Sequence, residues 1–301
     1  MGALDRAQDG VTIFLGVVIE ATPFLLLGVL VSQLLARWLR SERLLAWLPR
    51  SRLGSLVALA GMGVLFPVCE CGNVPVARRL VTRGVPAAGA VVFLLSAPAL
   101  NPVVALSTYA AFRDQPAIVA YRLVLTFVVA LGVGLLLSLH PRPSDLLRFR
   151  VPAGPEHTGP STYAGRLAGA RGFATDALAE FVEMGAVLVI GAALAALTQI
   201  LVPRSALLGV GQGPTVSVVA MMGLAGVLSV CSTVDAFVAL AYAGTFSDGS
   251  LVAFLVFGPM IDIKSLLLML TVFTARTVAL VAVLVAEAVL LLGVAINYWG
   301  G

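Results

Sequence analysis

Eight apolar stretches separated by short polar turns make up most of this 301-residue chain, and they leave it few possible folds. About 20 apolar residues are enough for a helix to cross the hydrocarbon core of a bilayer. Hydrophobic residues form 60% of the chain and charged residues 11%, which excludes an ordinary soluble domain and a disordered chain. The sequence therefore predicts an all-α polytopic integral membrane protein. Full spans are predicted at Val11–Ala36, Pro86–Phe112, Pro116–Leu139, Phe173–Val202, Ser250–Thr274 and Arg276–Trp299.

Positive charge is concentrated in two polar segments, residues 37–52 and residues 140–172. Basic loops stay on the cytoplasmic side of an inner membrane. Both segments share that side only if residues 53–77 enter the membrane and return as a re-entrant hairpin. Each half then has three spans and one hairpin, and both termini are non-cytoplasmic; eight full spans in two parallel halves are the alternative. These two segments hold 10 of the 19 basic residues, so nucleic acid is not an expected partner.

The two halves of the chain repeat each other at a nearly constant offset, which indicates a gene duplication. The equivalent positions lie 161 to 163 residues apart and include Glu20 with Glu183, Cys69 with Cys231, Pro98 with Pro259 and Asn101 with Asp262. Because three spans is an odd number, the second half inserts upside down, as in the inverted repeats of many secondary transporters. We predict two pseudo-symmetric transmembrane repeats, residues 1–139 and 173–301, joined by a cytoplasmic connector, residues 140–172.

All three cysteines of the chain fall at the two symmetric breaks between apolar stretches. Cys69 and Cys71 belong to the segment Pro67-Val-Cys-Glu-Cys-Gly72, and Cys231 begins Cys-Ser-Thr-Val-Asp235. Thiolates bind soft ions such as Zn(II) and Cu(I) and thiophilic metalloids, so the three predict a three-sulfur substrate or metal site. The alternative is that they are small buried packing residues, as free cysteines commonly are.

Two further apolar spans are interrupted at symmetric positions, Ser96–Pro102 and Gly258–Lys264. Proline removes a backbone donor, and exposed carbonyls of broken helices form midplane sites in transporters. The substrate-binding residues predicted at these breaks are Pro98, Asn101, Pro259 and Asp262. Lys264 either pairs with Asp262 or extends to the cytoplasmic face. Purely structural kinks at the two prolines are the alternative.

Ionisable side chains at bilayer depth are costly and usually face a cavity or a partner. The groups predicted to couple transport to a proton or ion are Glu20, Glu183, Asp235 and Lys264. Asp176 and Glu180 share a helix face with Glu183, and for them we expect hydrated positions at the membrane interface.

These motifs resemble the bacterial predicted-permease family of YraQ-like proteins, which includes the ArsP-type organoarsenical permeases. The resemblance extends over nearly the whole chain, from Glu20 to Arg276, and rests on Pro67–Arg79, Phe93–Pro102, Cys231–Asp235 and Gly258–Lys264. It implies an integral inner-membrane permease, with Cys69, Cys71 and Cys231 as possible metalloid ligands.

A gradient-driven permease for a small substrate is therefore the first functional hypothesis, with a soft metal ion or thiophilic metalloid as the expected substrate class. No Walker-type phosphate loop occurs, and we expect neither enzyme activity nor a cofactor. A transmembrane thiol–disulfide electron carrier that uses Cys69 and Cys231 is the alternative. A scaffold or insertase subunit is a third hypothesis. The expected partners are the lipid bilayer and either a second copy or an accessory membrane subunit.

Overall fold

A computed structural model describes residues 3–38, 48–49, 51–65, 69–141, 143–148, 165–201 and 213–299. Twelve α-helices form within these ranges. They are α1 (Ala3–Trp38), α2 (Arg52–Leu65), α3 (Glu70–Thr82), α4 (Ala87–Leu100), α5 (Pro102–Ala111), α6 (Pro116–Ser138), α7 (Gly165–Leu201), α8 (Val216–Leu228), α9 (Asp235–Leu240), α10 (Asp248–Met260), α11 (Ile263–Met269) and α12 (Ala275–Trp299).

Six helical segments of the described chain are long and apolar enough to cross a membrane, which confirms the polytopic all-α fold. They are Gln8–Leu35, Ala87–Ala111, Pro116–Ser138, Gly172–Leu201, Asp248–Met269 and Ala275–Trp299. The apolar helices α2 and α8 have 14 and 13 residues. At 1.5 Å per residue each is about 20 Å long, too short to cross the ~30 Å core alone.

The described helices form two series of six, α1–α6 and α7–α12, and the repeat between the two halves stays a prediction. The two longest, α1 and α7, have 36 and 37 residues and pack on each other. Gly10 lies beside Ile200, and Gln33 bonds to Glu180, so these two helices run antiparallel. The inversion of one half relative to the other stays a prediction.

The interrupted spans α4–α5 and α10–α11 form the centre of the molecule. In the most apolar 18-residue stretch of each of these spans, 72% of the residues are buried. In the corresponding stretches of α1 and α12 only 22% are buried. The outer helices place large apolar side chains such as Leu15, Ile19 and Leu291 on the exposed surface, which is the face that lipid covers.

Residues 143–148, at the start of the predicted connector, pack against the second half. Arg148 donates from its backbone nitrogen to the Val272 carbonyl at 3.0 Å, and Thr274 donates to the Leu146 carbonyl at 3.1 Å. Helix α7 begins at Gly165, inside the predicted connector. Residues 149–164 of the connector lie outside the described residues, as do Pro67 and most of the basic segment 37–52.

Helices α1 and α3 approach each other closely at Gly28 and Gly72. A Cβ atom on Gly28 would overlap backbone atoms of Gly72, which cannot rotate away. We expect Gly28→Ala to lower the free energy of unfolding by about 1–3 kcal/mol, as overpacking does, in SDS-induced unfolding of the purified protein in mixed micelles. Gly16→Ala in the same helix is the control, because nothing lies within 4 Å of a Cβ there. Equal effects of the two substitutions would contradict the close contact.

Candidate substrate site

The two central spans break at Asn101 and Asp262, three residues after their prolines. Helix α4 continues through Pro98 to Leu100, and α10 continues through Pro259 to Met260. Each proline is buried inside its helix and does not itself lie at the break. The two carbonyls one turn earlier lose a helical donor, but capping by the Asn and Asp side chains is what begins the next helix.

Asn101 and Asp262 cap the helices that follow them. The Asn101 Oδ1 accepts a hydrogen bond from the Val103 nitrogen at 2.9 Å. The Asp262 Oδ1 accepts one from the Ser265 nitrogen at 2.6 Å, and the Ser265 hydroxyl accepts one from the Asp262 nitrogen at 2.9 Å, which forms a capping box. Both predicted polar residues are thus fixed at helix N-termini in the protein interior.

Four short helices meet in two pairs beside these breaks. Helix α3 packs against α11, and α5 packs against α9. Each pair combines one helix from the first half with one from the second half. Glu70 lies in the first turn of α3 and Asp235 in the first turn of α9, where the partial positive charge of a helix N-terminus favours a carboxylate. The arrangement gathers helix N-termini and acidic side chains where the halves meet.

The three cysteines lie together between the halves. All are buried free thiols, and the Cys69 thiol is within hydrogen-bonding range of the thiols of Cys71 and Cys231. The Thr233 hydroxyl donates to the Cys231 sulfur at 3.5 Å. Among the described residues, no three Cys, His, Asp or Glu side chains are arranged as ligands of one metal ion. The three-sulfur metal site therefore stays a prediction that requires the thiols to reorient.

Lys264 lies between two carboxylates beside the thiols. Its Nζ is 3.4 Å from the Asp262 Oδ2 and 3.5 Å from the Glu70 Oε1, and all three side chains are at most 4% exposed. The sequence left two positions open for Lys264, and in the structure it pairs with Asp262. In their ionised forms the three groups sum to −1. Since an uncompensated buried charge is unfavourable, this ionic triad favours one further positive charge, a proton or a cation.

Asp235 forms a second buried ion pair, with Arg122 of helix α6. The two Arg122 Nη atoms donate to the two Asp235 carboxylate oxygens at 2.7 and 2.9 Å. Arg122 also donates to the Thr108 hydroxyl at 2.8 Å and to the Ser232 carbonyl at 3.2 Å. This bidentate geometry ties α5 and α6 to the start of α9. A structural clamp explains it, and the coupling role of Asp235 stays a prediction.

The solvent exposures of Glu180 and Glu183 on α7 differ from those predicted from the sequence. Glu180, expected at a hydrated interface, is 11% exposed, accepts a hydrogen bond from Gln33 at 2.7 Å and lies 3.7 Å from Arg79. Glu183, expected to couple transport, is 52% exposed and pairs with Arg78 at 3.0 Å. Packing of α3 against α7 reverses the two environments, because it places Arg79 over Glu180. The coupling role of Glu183 stays a prediction.

Glu20 lies half-buried near the middle of α1. Because α1 and α7 are antiparallel, with Gln33 opposite Glu180, Glu20 and Glu183 are at different depths and do not form a pair. The coupling role of Glu20 also stays a prediction.

Sequence reasoning missed Arg122. The only signal was one arginine inside the otherwise apolar segment Pro116–Leu139, and nothing in the pattern indicates that Asp235, 113 residues away, is its partner. The repeat gives no help either, because the position 162 residues after Arg122 is Leu284.

Comparison with known proteins agrees with this architecture. A family model described as predicted permease matches residues 7–298. The chain belongs to the ArsP-type predicted-permease family. Its relatives in this family include the UPF0718 protein YcgR of Bacillus subtilis, which is 43% identical over 93% of this chain and 94% of the relative. A putative two-component membrane permease complex subunit of Streptococcus mutans is 35% identical over 88% of this chain and 87% of that protein.

No solved structure matches the chain. Family membership and the six apolar spans make this permease a multi-pass membrane transporter. The buried thiols and the ionic triad form one polar cluster in the interior, and we take that region as the candidate substrate site.

Proposed function

We propose that this permease is a gradient-driven secondary transporter whose substrate binds between α3 and α11. The observation that carries the proposal is the buried ionic triad of Glu70, Asp262 and Lys264 next to three free thiols. Charged groups inside a membrane are retained where they bind substrate or ions. The helix N-termini around them supply further polar groups at the same place.

A thiophilic soft metal ion or metalloid is the substrate class that fits this site. Cys69, Cys71 and Cys231 offer sulfur donors that soft ions prefer, while Glu70 and Asp262 supply negative charge. Asn101, the cap of α5, and the helix-internal prolines Pro98 and Pro259 complete the predicted site.

Exchange of a proton for the substrate cation is the coupling step that the triad supports. One proton balances its charge of −1 in the empty state, and a bound monovalent soft cation such as Cu(I) replaces that proton; a divalent ion requires that one thiol also releases its proton. Lys264 stays between the carboxylates in both states. Glu20 and Glu183 are further coupling groups in this proposal.

We also propose an inner-membrane location with both termini outside the cytoplasm, and two halves related as inverted repeats. The antiparallel packing of the equivalent helices α1 and α7 supports the inversion. The Streptococcus mutans relative is named as a putative subunit of a two-component permease complex, which supports an accessory membrane subunit as partner.

Titration of soft ions against purified protein in detergent tests the substrate class. Zn(II), Cu(I), As(III) and a trivalent organoarsenical are added to wild type and to the variant C69S/C71S/C231S, which has no cysteine left. We expect tight binding of at least one probe by wild type and its loss in the triple variant. Ser232→Ala, which changes the residue next to Cys231, is the matched control and should keep the affinity. Binding that survives in the triple variant would contradict a thiol site.

A transmembrane thiol–disulfide carrier is the second candidate, favoured by the contact between the Cys69 and Cys231 thiols. In that reaction the two thiols lose two electrons and two protons and form one disulfide, and a disulfide of a partner protein gains them and becomes two thiols. Oxidation by diamide followed by mass mapping tests it. A Cys69–Cys231 disulfide that thioredoxin reduces, together with no soft-ion binding, would favour this function over the permease.

A further inference from the structure

A groove of about 540 Å³ lies on the outer face of the second half, between α8, the α10–α11 break and α12. Its walls are almost wholly apolar and include Met222, Phe257 and Leu290. A volume in this range is typical of a small-molecule site. Val219 at its edge is 52% exposed, so the groove opens to the surface that lipid covers.

Glu287 projects into this groove from the middle of α12. It is twelve residues from Ala275 and twelve from Trp299, the two ends of an otherwise strongly apolar span. The side chain is exposed and makes no hydrogen bond or ion pair with another described residue. A carboxylate facing hydrocarbon at this depth costs several kcal/mol unless something compensates it. Glu287 therefore places a negative charge in the apolar surroundings of the groove.

Asp262 joins the groove to the ionic triad. It lines the inner end of the groove, and only 2% of the residue is exposed. Its Oδ2 makes no hydrogen bond, and Lys264 lies 3.4 Å from it on the side away from the capping box. A ligand in the groove thus lies beside the exposed Glu287 and beside Asp262, which belongs to a buried triad whose three groups sum to −1.

We infer that this groove binds small amphiphilic organic cations from the bilayer and delivers them to the triad. An apolar body fits the lining, and a delocalised positive charge is complementary to Glu287 at a low desolvation cost. A lipid acyl chain or a second copy would cover the apolar walls but would leave the carboxylate uncompensated. The inference goes beyond the proposed soft-ion function, because neither Glu287 nor the apolar lining of the groove contributes to soft-ion binding by the thiols; its delivery step rests on the proposed site at the triad.

Binding of tetraphenylphosphonium to the full-length protein in phosphatidylcholine nanodiscs tests the inference. We expect saturable binding by wild type, weakened at least about tenfold in Glu287→Gln because the charge pair is lost in an apolar site. Gly226→Leu should also weaken it, since a side chain at Gly226 projects beside Phe257 into the groove. Gly132→Leu on α6 is the matched control, because nothing lies within 4 Å of a Cβ there, and it should bind as wild type.

Several results would overturn the inference. These are absence of saturable binding by wild type, undiminished binding by Glu287→Gln, and cross-linking that shows the groove closed by a second copy. The cysteine-free variant separates the two proposals. We expect it to keep tetraphenylphosphonium binding while it loses soft-ion binding. Soft-ion binding that survives in this variant would count only against the proposed thiol site.

Discussion

Replacing Lys264 with methionine is expected to lower the free energy of unfolding by about 3–5 kcal/mol, because two buried carboxylates then have no cation. SDS-induced unfolding in mixed micelles measures this change. The loss should be smaller at low pH, where protonation of Glu70 removes one of the two unpaired negative charges. Flux of the soft ion bound by wild type should be lost as well, because the two carboxylates then sum to −2 and exchange of one proton for one cation no longer balances their charge.

Two further variants make this prediction specific. Lys264→Arg keeps the charge and should retain most of the stability. In K264M/E70Q the summed charge returns to −1, so part of the lost stability should return while flux stays lost. Wild-type stability and flux in Lys264→Met would contradict the role of the triad.

Replacing Arg122 with leucine should have an effect of similar size, about 3–5 kcal/mol, because Asp235 is left buried and unpaired. The double variant R122L/D235L should recover most of it, since apolar residues often replace a buried ion pair without loss. A double-mutant cycle in the same unfolding assay measures the interaction energy. Arg78→Leu, which breaks the exposed pair with Glu183, is the control and should cost less than about 1 kcal/mol.

The same double variant separates a structural from a coupling role for Asp235. A structural clamp requires that R122L/D235L transports the soft ion at close to the wild-type rate. A coupling role requires a stable protein without flux. Loss of stability in the double variant equal to that in Arg122→Leu would contradict the pairing itself.

Periodicity and composition were sufficient for the membrane fold. The predicted span Pro116–Leu139 and the observed helix Pro116–Ser138 differ by one residue, because a long apolar helix must cover the hydrocarbon core. The exact positions of the helix breaks were harder to predict from the sequence. Proline marks a region of weakness, but the caps formed by Asn101 and Asp262 decide where the next helix begins.

Environments of charged residues could not be derived from sequence in the same way. Glu180 and Glu183 share one helix and one residue type, yet Glu180 is half-buried against Arg79 and Glu183 is exposed. Their difference depends on which face of α7 meets α3, a property of packing between distant segments. Local patterns carry no information about that choice.

The sequence by itself determined the membrane-spanning fold, the six apolar spans and the placement of all three cysteines at the breaks, because these depend on local hydrophobicity and spacing. Only the tertiary structure decided which charges neutralise each other. Lys264 meets Glu70 from the other half, and Arg122 meets Asp235, across 194 and 113 positions of sequence. In a low-dielectric interior, which charges pair depends on which helices pack against each other, and the distance between the residues in sequence does not matter.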